Sequence, residues 1–179
     1  RTRPMKLRRL ALLTILFALA PAAHAQIEGR PVHEPHQYSA YEQLVLKNVS
    51  EFHKNYNARN FDKNGELVAD DIVVDSNGVE VRGRDAFVKR IARLTKVFSD
   101  VHIEDLEITV DGNMAVVRFL ITGTQTGDLD TSAVSIPATG KKIQIDGIEF
   151  FTFNKEGKVT HLVTVEDLAS MVRQLHASN

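Results

Sequence analysis

Glu149 and His161 are the side chains of this sequence best placed for proton chemistry, because residue alternation puts both on one otherwise apolar strand face. Lys142–Phe153 and Lys158–Glu166 alternate on either side of Asn154-Lys155-Glu156-Gly157. A three-residue loop ending in Gly closes a hairpin through a type I turn and a G1 bulge. With Lys155-Glu156-Gly157 as that loop, Asn154 faces Lys158, Phe151 faces His161 and Glu149 faces Val163. The odd-numbered face then reads Glu149, Phe151, Phe153, Val159, His161, Val163 and Val165. Its carboxylate and imidazole become diagonal neighbours roughly 6–8 Å apart. Apolar surroundings disfavour the charged form of a carboxylate, which makes Glu149 the candidate general acid/base, able to take a proton alpha to a carbonyl and return it elsewhere. His161 is its candidate partner: a second base, an orienting group, or a neutral donor that polarises a carbonyl. The competing reading is a structural carboxylate locked to an Arg or a backbone amide, beside a satisfied core histidine.

Around this pair the sequence supplies a candidate substrate lining. Gln125, near the end of an apolar strand face, can hydrogen-bond a substrate oxygen, or bond to backbone at the rim. His102, at the start of a strand after Asp100, can reach a cavity mouth or cap the strand. Phe52 and Tyr56 on the first helix, with Phe119, Phe151 and Val163 on the strands, complete the lining or simply fill the core. No Ser-His-Asp order, phosphate-cradling Gly loop or carboxylate-rich metal motif stands out, so hydrolase, kinase and metalloenzyme readings fall behind. His33-x-x-His36 lacks a supporting Cys or carboxylate and is not read as a metal site.

The elements that must hold these residues follow from periodicity. Tyr41, Leu44, Val45, Val49, Phe52 and Tyr56 recur at helical spacing, with Ser39 available as a cap, and predict a helix over Tyr41–Asn60. Asn60-Phe61-Asp62 starts a short helix through Leu67. Asp71–Asp75 and Val79–Val81 read as short strands about a Ser76-Asn77-Gly78 turn. Gly83-Arg84-Asp85 leads into a helix ending near Phe98. Long strands over Val101–Val110, Met114–Thr126, Lys142–Phe153 and Lys158–Glu166 precede a closing helix, Asp167–His176. Helices followed by a mainly antiparallel meander make an α+β fold, whose twisted sheet would curl around the N-terminal helices as a cone with an internal pocket. On the hairpin's other face, Ile148, Phe150 and Leu162 are too apolar for open solvent, which predicts a homodimer through the outer sheet face.

Met5-Lys6-Leu7-Arg8-Arg9, the apolar run Leu10–Ala20 and Pro21-Ala22-Ala23-His24-Ala25 have the layout of a secretory leader cleaved after Ala25, with Arg1–Pro4 upstream of it. The run is too short for a membrane span, so a secreted or periplasmic location with no stable membrane anchor after cleavage is expected. The predicted organisation is residues 1–25 as upstream residues and leader, 26–39 as a flexible tether, and 40–179 as one domain. Five of the 22 basic residues and none of the acidic ones fall in residues 1–25, leaving 17 against 23 acidic ones, a formal net charge of −6. So acidic a domain does not suit nucleic acid, whose affinity rests on phosphate neutralisation. With no cysteine there is neither a disulfide framework nor a thiol nucleophile.

Phe98-Ser99-Asp100-Val101-His102, Arg118, Gly123-Thr124-Gln125-Thr126-Gly127, Ala138-Thr139-Gly140-Lys141, Gly147-Ile148-Glu149 and Gly157-Lys158-Val159 with Asp167 together resemble the SnoaL-like polyketide cyclase/ester cyclase family of the NTF2-like superfamily. Asn48, Gly83-Arg84-Asp85-Ala86-Phe87 and Arg173-Gln174-Leu175 extend the resemblance over most of residues 40–176. It implies a curved α+β cone and intramolecular aldol ring closure by an acid/base carboxylate, without metal or cofactor. This chain has Gln125 where the family commonly has His, Glu149 where it has Asp, and His161 and Val163 where it has Glu and Trp. The expectation is therefore an exported, cofactor-independent acid/base enzyme of cyclase, isomerase or dehydratase type, acting on a small apolar carbonyl compound. The alternative is a non-catalytic periplasmic binder of a small hydrophobic molecule on the same fold.

Overall fold

Ser39 opens helix α1 (Ala40–Asn57) through a capping box: its hydroxyl accepts from the Glu42 amide at 3.2 Å and its own amide donates to the Glu42 carboxylate at 2.8 Å. The computed structural model describes residues 37–130 and 135–176. The leader and the His33/His36 pair lie outside the described residues. One stripe of α1, Val45, Val49, Phe52, His53 and Tyr56, is buried. There follow α2 (Phe61–Glu66), β1 (Val68–Ser76), β2 (Val79–Arg82), α3 (Arg84–Val97), β3 (His102–Asp111), β4 (Met114–Thr124), β5 (Leu129–Asp130), β6 (Ser135–Ile136), β7 (Lys142–Phe153), β8 (Val159–Glu166) and α4 (Leu168–His176). The long elements predicted from alternation all form, with small shifts at their ends. The two-residue strands β5 and β6 are too short to alternate and could not be read from sequence.

The main sheet runs β2-β1-β8-β7-β4-β3. Its neighbours are antiparallel except β1 and β8, which are parallel. Helix α1 packs on β3 and β4, α3 on β1 and β2, and α4 on β7. The inward face of β4, Ala115, Val117, Phe119, Ile121 and Gly123, continued by Gln125 just past its end, is buried as its odd-numbered alternation predicts. Phe119 closes down on β7 at Gly147, where an added Cβ would lie 2.3 Å from the ring. Only a glycine leaves room for that ring.

The β7–β8 hairpin corrects one expectation. The Lys155-Glu156-Gly157 loop forms, with Gly157 at φ +76° and the Asn154 amide donating to the Lys158 carbonyl at 2.8 Å. Phe153 pairs with Val159, but Thr160 is then an extra residue, so Thr152 pairs with His161, Phe151 with Leu162 and Glu149 with Thr164. One inserted residue reverses every side chain beyond it. Leu162 and Thr164 therefore face inward, and His161, Val163 and Val165 face outward. The parallel partner β1 is irregular at the same level, between Val68 and Val73. The outer face that results presents Ile148, Phe150 and Val165 to solvent, 41%, 41% and 56% exposed.

Candidate functional site

Glu149 points into the core and is 7% exposed. Its Oε1 accepts from the Thr164 hydroxyl at 3.0 Å, a partner supplied by the register shift in β8. Its Oε2 lies 2.9 Å from Nε2 of His53, and neither atom makes a hydrogen bond of good geometry. The contact is an ion pair rather than an aligned hydrogen bond. On its other side His53 meets Asp105, Nδ1 to Oδ1, at 2.5 Å. A buried imidazole is thus held between two carboxylates, one in the core and one, Asp105, 22% exposed on the edge strand β3.

Two local features bring these groups together. His53 lies one turn beyond Val49 and one turn before Tyr56, on the buried stripe of α1. Asp105 precedes a bulge at Leu106: Asp105 pairs with Phe119, whereas Glu107 pairs with Arg118. The extra residue lets Ile103 and Asp105 face inward and still returns Ile108 and Val110 to the core side. The rest of the wall is aromatic. Phe119 stands edge-on to His53 at 5.4 Å between ring centroids, and Phe52 stands edge-on to Phe151 at 5.1 Å.

The electrostatics favour a charged imidazole. Burial pulls the His53 proton affinity down, but the Glu149 charge and the Asp105 hydrogen bond more than offset it, and the pKa is raised to about 9. His53 is therefore an imidazolium at neutral pH with carboxylates on both sides. Nearby, Glu166 on β8 lies opposite Gly147 and accepts from Asn77 Nδ2 at 2.8 Å. Burial and then the Glu149 charge push its carboxyl up, against the Asn77 hydrogen bond and the positive charge of Arg90. The Tyr56 hydroxyl is buried and has no hydrogen-bond partner among the described residues. Burial raises its phenol strongly, and the Glu166 and Glu149 charges add to that rise against Arg59.

Of the residues predicted from sequence, Glu149, Phe52, Tyr56, Phe119 and Phe151 gather on the inner face. His161 does not join them: it is exposed on the outer face, and His53 occupies the place beside Glu149. Val163 is also turned outward by the bulge, and His102 is exposed at the start of β3, opposite Thr122. Gln125 is fully buried, but its amide is engaged by protein: Nε2 donates to the Ile136 carbonyl at 3.0 Å, and Oε1 accepts from the Thr139 hydroxyl at 2.7 Å. It ties the β6 region to the end of β4. His53, Asp105 and Thr164 are the site residues that alternation did not single out. Two surface clefts, of about 270 and 300 Å³, lie away from this cluster, one between α2 and α3 and one beside Asp100 and Gln174.

Comparison with known proteins agrees with this architecture. A SnoaL-like protein from Jannaschia sp. CCS1, assigned by likeness to the polyketide cyclases, superposes with a TM-score of 0.72 at 20% identity, over 80% of this chain and 99% of its own. A protein from Xanthomonas campestris pv. campestris, likewise assigned to the polyketide cyclases, gives 0.68 at 19% identity over 76% and 99%. An epoxide hydrolase of M. tuberculosis gives 0.59 at 16% identity over 75% and 90%. At these identities the likeness establishes the fold. No curated protein sequence matches the chain. The sequence profile of the SnoaL-like domain matches residues 49–162, most of the described chain, and the protein therefore belongs to the SnoaL-like family.

Proposed function

We propose that this protein is a cofactor-independent acid/base enzyme of cyclase, isomerase or dehydratase type, acting on a small, largely apolar carbonyl compound. The observation that carries the reading is the buried Glu149–His53–Asp105 cluster. Placing three ionisable groups in or beside an aromatic core costs several kcal/mol for each desolvated ion, and such clusters mark sites of proton chemistry. In this reading Glu149 removes a proton alpha to the substrate carbonyl. The electron pair of the broken C–H bond becomes the enolate, and the carboxylate becomes a carboxylic acid. As negative charge leaves Glu149 for the substrate oxygen, the His53 imidazolium stays in place to stabilise it. Asp105 fixes the orientation of the ring and balances its charge. Glu149 then returns the proton to a different atom, or the enolate attacks a second carbonyl, or it expels a beta leaving group. Export with cleavage after Ala25 belongs to the same proposal, and a mature N-terminus at Gln26 is the expected result of sequencing periplasmic protein.

Exchange of alpha protons tests the chemistry before a substrate is known. A panel of small cyclic and aryl ketones in D2O, followed by NMR, should lose alpha C–H signal faster with protein than with buffer. Glu149→Gln should abolish the acceleration, since the amide cannot accept the proton. Wild-type protein that accelerates no ketone, or a Glu149→Gln variant as fast as wild type, rejects the enzyme reading. Ligand retention by Glu149→Gln with an intact biological effect would instead favour a pocket protein that binds a small hydrophobic molecule.

A further inference from the structure

We infer that Asn77 is a site of spontaneous deamidation gated by its clamp on Glu166, and that the product loosens the β1–β2 turn from β8. The chain has two Asn-Gly dipeptides, Asn64-Gly65 and Asn77-Gly78. Asn before Gly is the dipeptide most open to this reaction, because a glycine has no side chain to hinder close approach by its amide nitrogen. That nitrogen gives up its proton, its electron pair forms a bond to the Asn Cγ, and ammonia leaves. The cyclic imide that results takes up water at either carbonyl and opens to aspartate or isoaspartate. In sum, a carboxamide and a water become a carboxylate and an ammonium ion.

The fold treats the two sites differently. Asn64 is fully buried in α2, and its Nδ2 donates to the Phe52 carbonyl at 2.8 Å. Asn77 and Gly78 instead form the two-residue turn between Ser76 and Val79, with φ 53° and 79°, the left-handed pair such a turn requires. Gly78 is exposed and Asn77 half-buried. What restrains Asn77 is hydrogen bonding. Its Nδ2 donates to Glu166 Oε2 at 2.8 Å, its Oδ1 accepts from the Glu166 amide at 3.0 Å, and the Gly78 amide donates to Asp75 Oδ1 at 2.9 Å. The carboxamide cannot turn toward Gly78 until the Glu166 clamp opens, and an N–H held by a carboxylate gives up its proton less readily. Conversion therefore proceeds through local opening of the turn, at a rate the clamp sets. The same bonds carry the consequence. The Asn77 amide donates to the Thr164 carbonyl at 2.9 Å, and the Thr164 hydroxyl donates to Glu149, so the turn is tied to the strand that holds the buried carboxylate. Conversion takes the Nδ2 donor away from Glu166 and puts a like charge against it.

Peptide mapping by mass spectrometry, after incubation of the full chain in warm, mildly alkaline buffer, tests the inference, with Asn64 as the internal control for unfolding. In folded wild-type protein Asn77 should convert faster than Asn64 and more slowly than the same residue in urea. Glu166→Leu should speed Asn77 conversion by about tenfold or more, the effect on an opening equilibrium of losing a hydrogen bond to a charged group, and leave Asn64 intact. If Asn64 converts as well, that variant has lost the fold, and Asp75→Ala, which frees the Gly78 amide and keeps Glu166, decides instead. Faster conversion of Asn77 alone in Asp75→Ala then supports the proposal, and an unchanged rate overturns it. Three further results overturn it: Asn77 no faster than Asn64 in folded wild type, Asn77 as fast when folded as in urea, or no acceleration in a folded Glu166→Leu. Asn77→Asp, which makes one product directly, should lower the thermal midpoint in the same buffer, and an unchanged midpoint overturns the loosening of the turn from β8.

Discussion

The stability of this protein should fall as pH rises from 7 to 9, and the cause should be His53. Its pKa is raised from 6.5 to about 9: burial opposes protonation, but the Glu149 charge and the Asp105 hydrogen bond outweigh it. The folded state therefore holds this proton more tightly than the unfolded chain. The stabilisation is complete below pH 6.5 and is lost as pH rises through about 9. At about 1.4 kcal/mol for each tenfold change in proton affinity, that rise corresponds to about 3 kcal/mol. Urea unfolding of wild-type and His53→Gln protein at intervals from pH 6 to 9.5 measures it. Groups that titrate alike in both proteins cancel in the difference, which should shrink by about 3 kcal/mol across the window. If His53→Gln is too unstable to fold, NMR titration of the wild-type imidazole gives the same quantity directly. Parallel pH profiles, or an imidazole titrating at or below 6.5 in the folded protein, would refute the reasoning.

Gly147→Ala should cost about 1–3 kcal/mol of stability by driving a methyl into the Phe119 ring, and Phe119→Leu in the same chain should recover part of that loss in a double-mutant cycle of thermal unfolding. The outer sheet face is proposed to pair with a second copy of the chain, so sedimentation should show a dimer that Phe150→Glu converts to monomer; a wild-type monomer at tens of micromolar sinks the idea. Replacing His53, Asp105 and Glu149 together by Leu, Asn and Leu should leave stability equal or higher, while His53→Leu alone should cost about 3–5 kcal/mol, because only the single change leaves the buried Glu149 carboxylate without its cation. A triple variant as unstable as the single one would mean that the cluster is kept for folding.

Most of the fold could be read from the chain because each long strand alternates cleanly and each turn carries its own Gly or Asn. The inward face of β4 and the Gly157 loop came from those signals alone. The face carrying His161 could not be fixed the same way. Leu162 and Thr164 compete with Val163 and Val165 for the core, and both alternations are plausible until β1 pairs with β8 on the other side. The bulge at Thr160 is thus a tertiary choice that a hairpin read in isolation cannot contain. The Leu106 bulge did leave a trace, since the apolar parity of β3 changes between Ile103 and Ile108, with Asp105 at the break. His53 left one too: a histidine four residues after Val49 and three before Tyr56 falls on the buried stripe. Strand alternation does not reveal its role, because its partners come from β3 and β7.

In the proposed acid/base reading, the sources of the three groups set the cluster apart from a strand-borne pair. Glu149 and the expected His161 would have stood side by side on one sheet face, both presented to a ligand from the same direction. His53 instead approaches from α1, across the core, so its charge sits behind the carboxylate and meets Asp105 at the sheet edge. On the proposed mechanism, when Glu149 accepts a proton, negative charge moves to the substrate oxygen while the imidazolium and Asp105 stay fixed. The total charge inside the barrel of side chains does not change; it is only displaced over a few ångströms. In a low-dielectric interior, moving charge within a preset field costs far less than creating it. On that proposal, a net excess of one carboxylate over one imidazolium leaves Glu149 a base while keeping a cation within reach of the enolate.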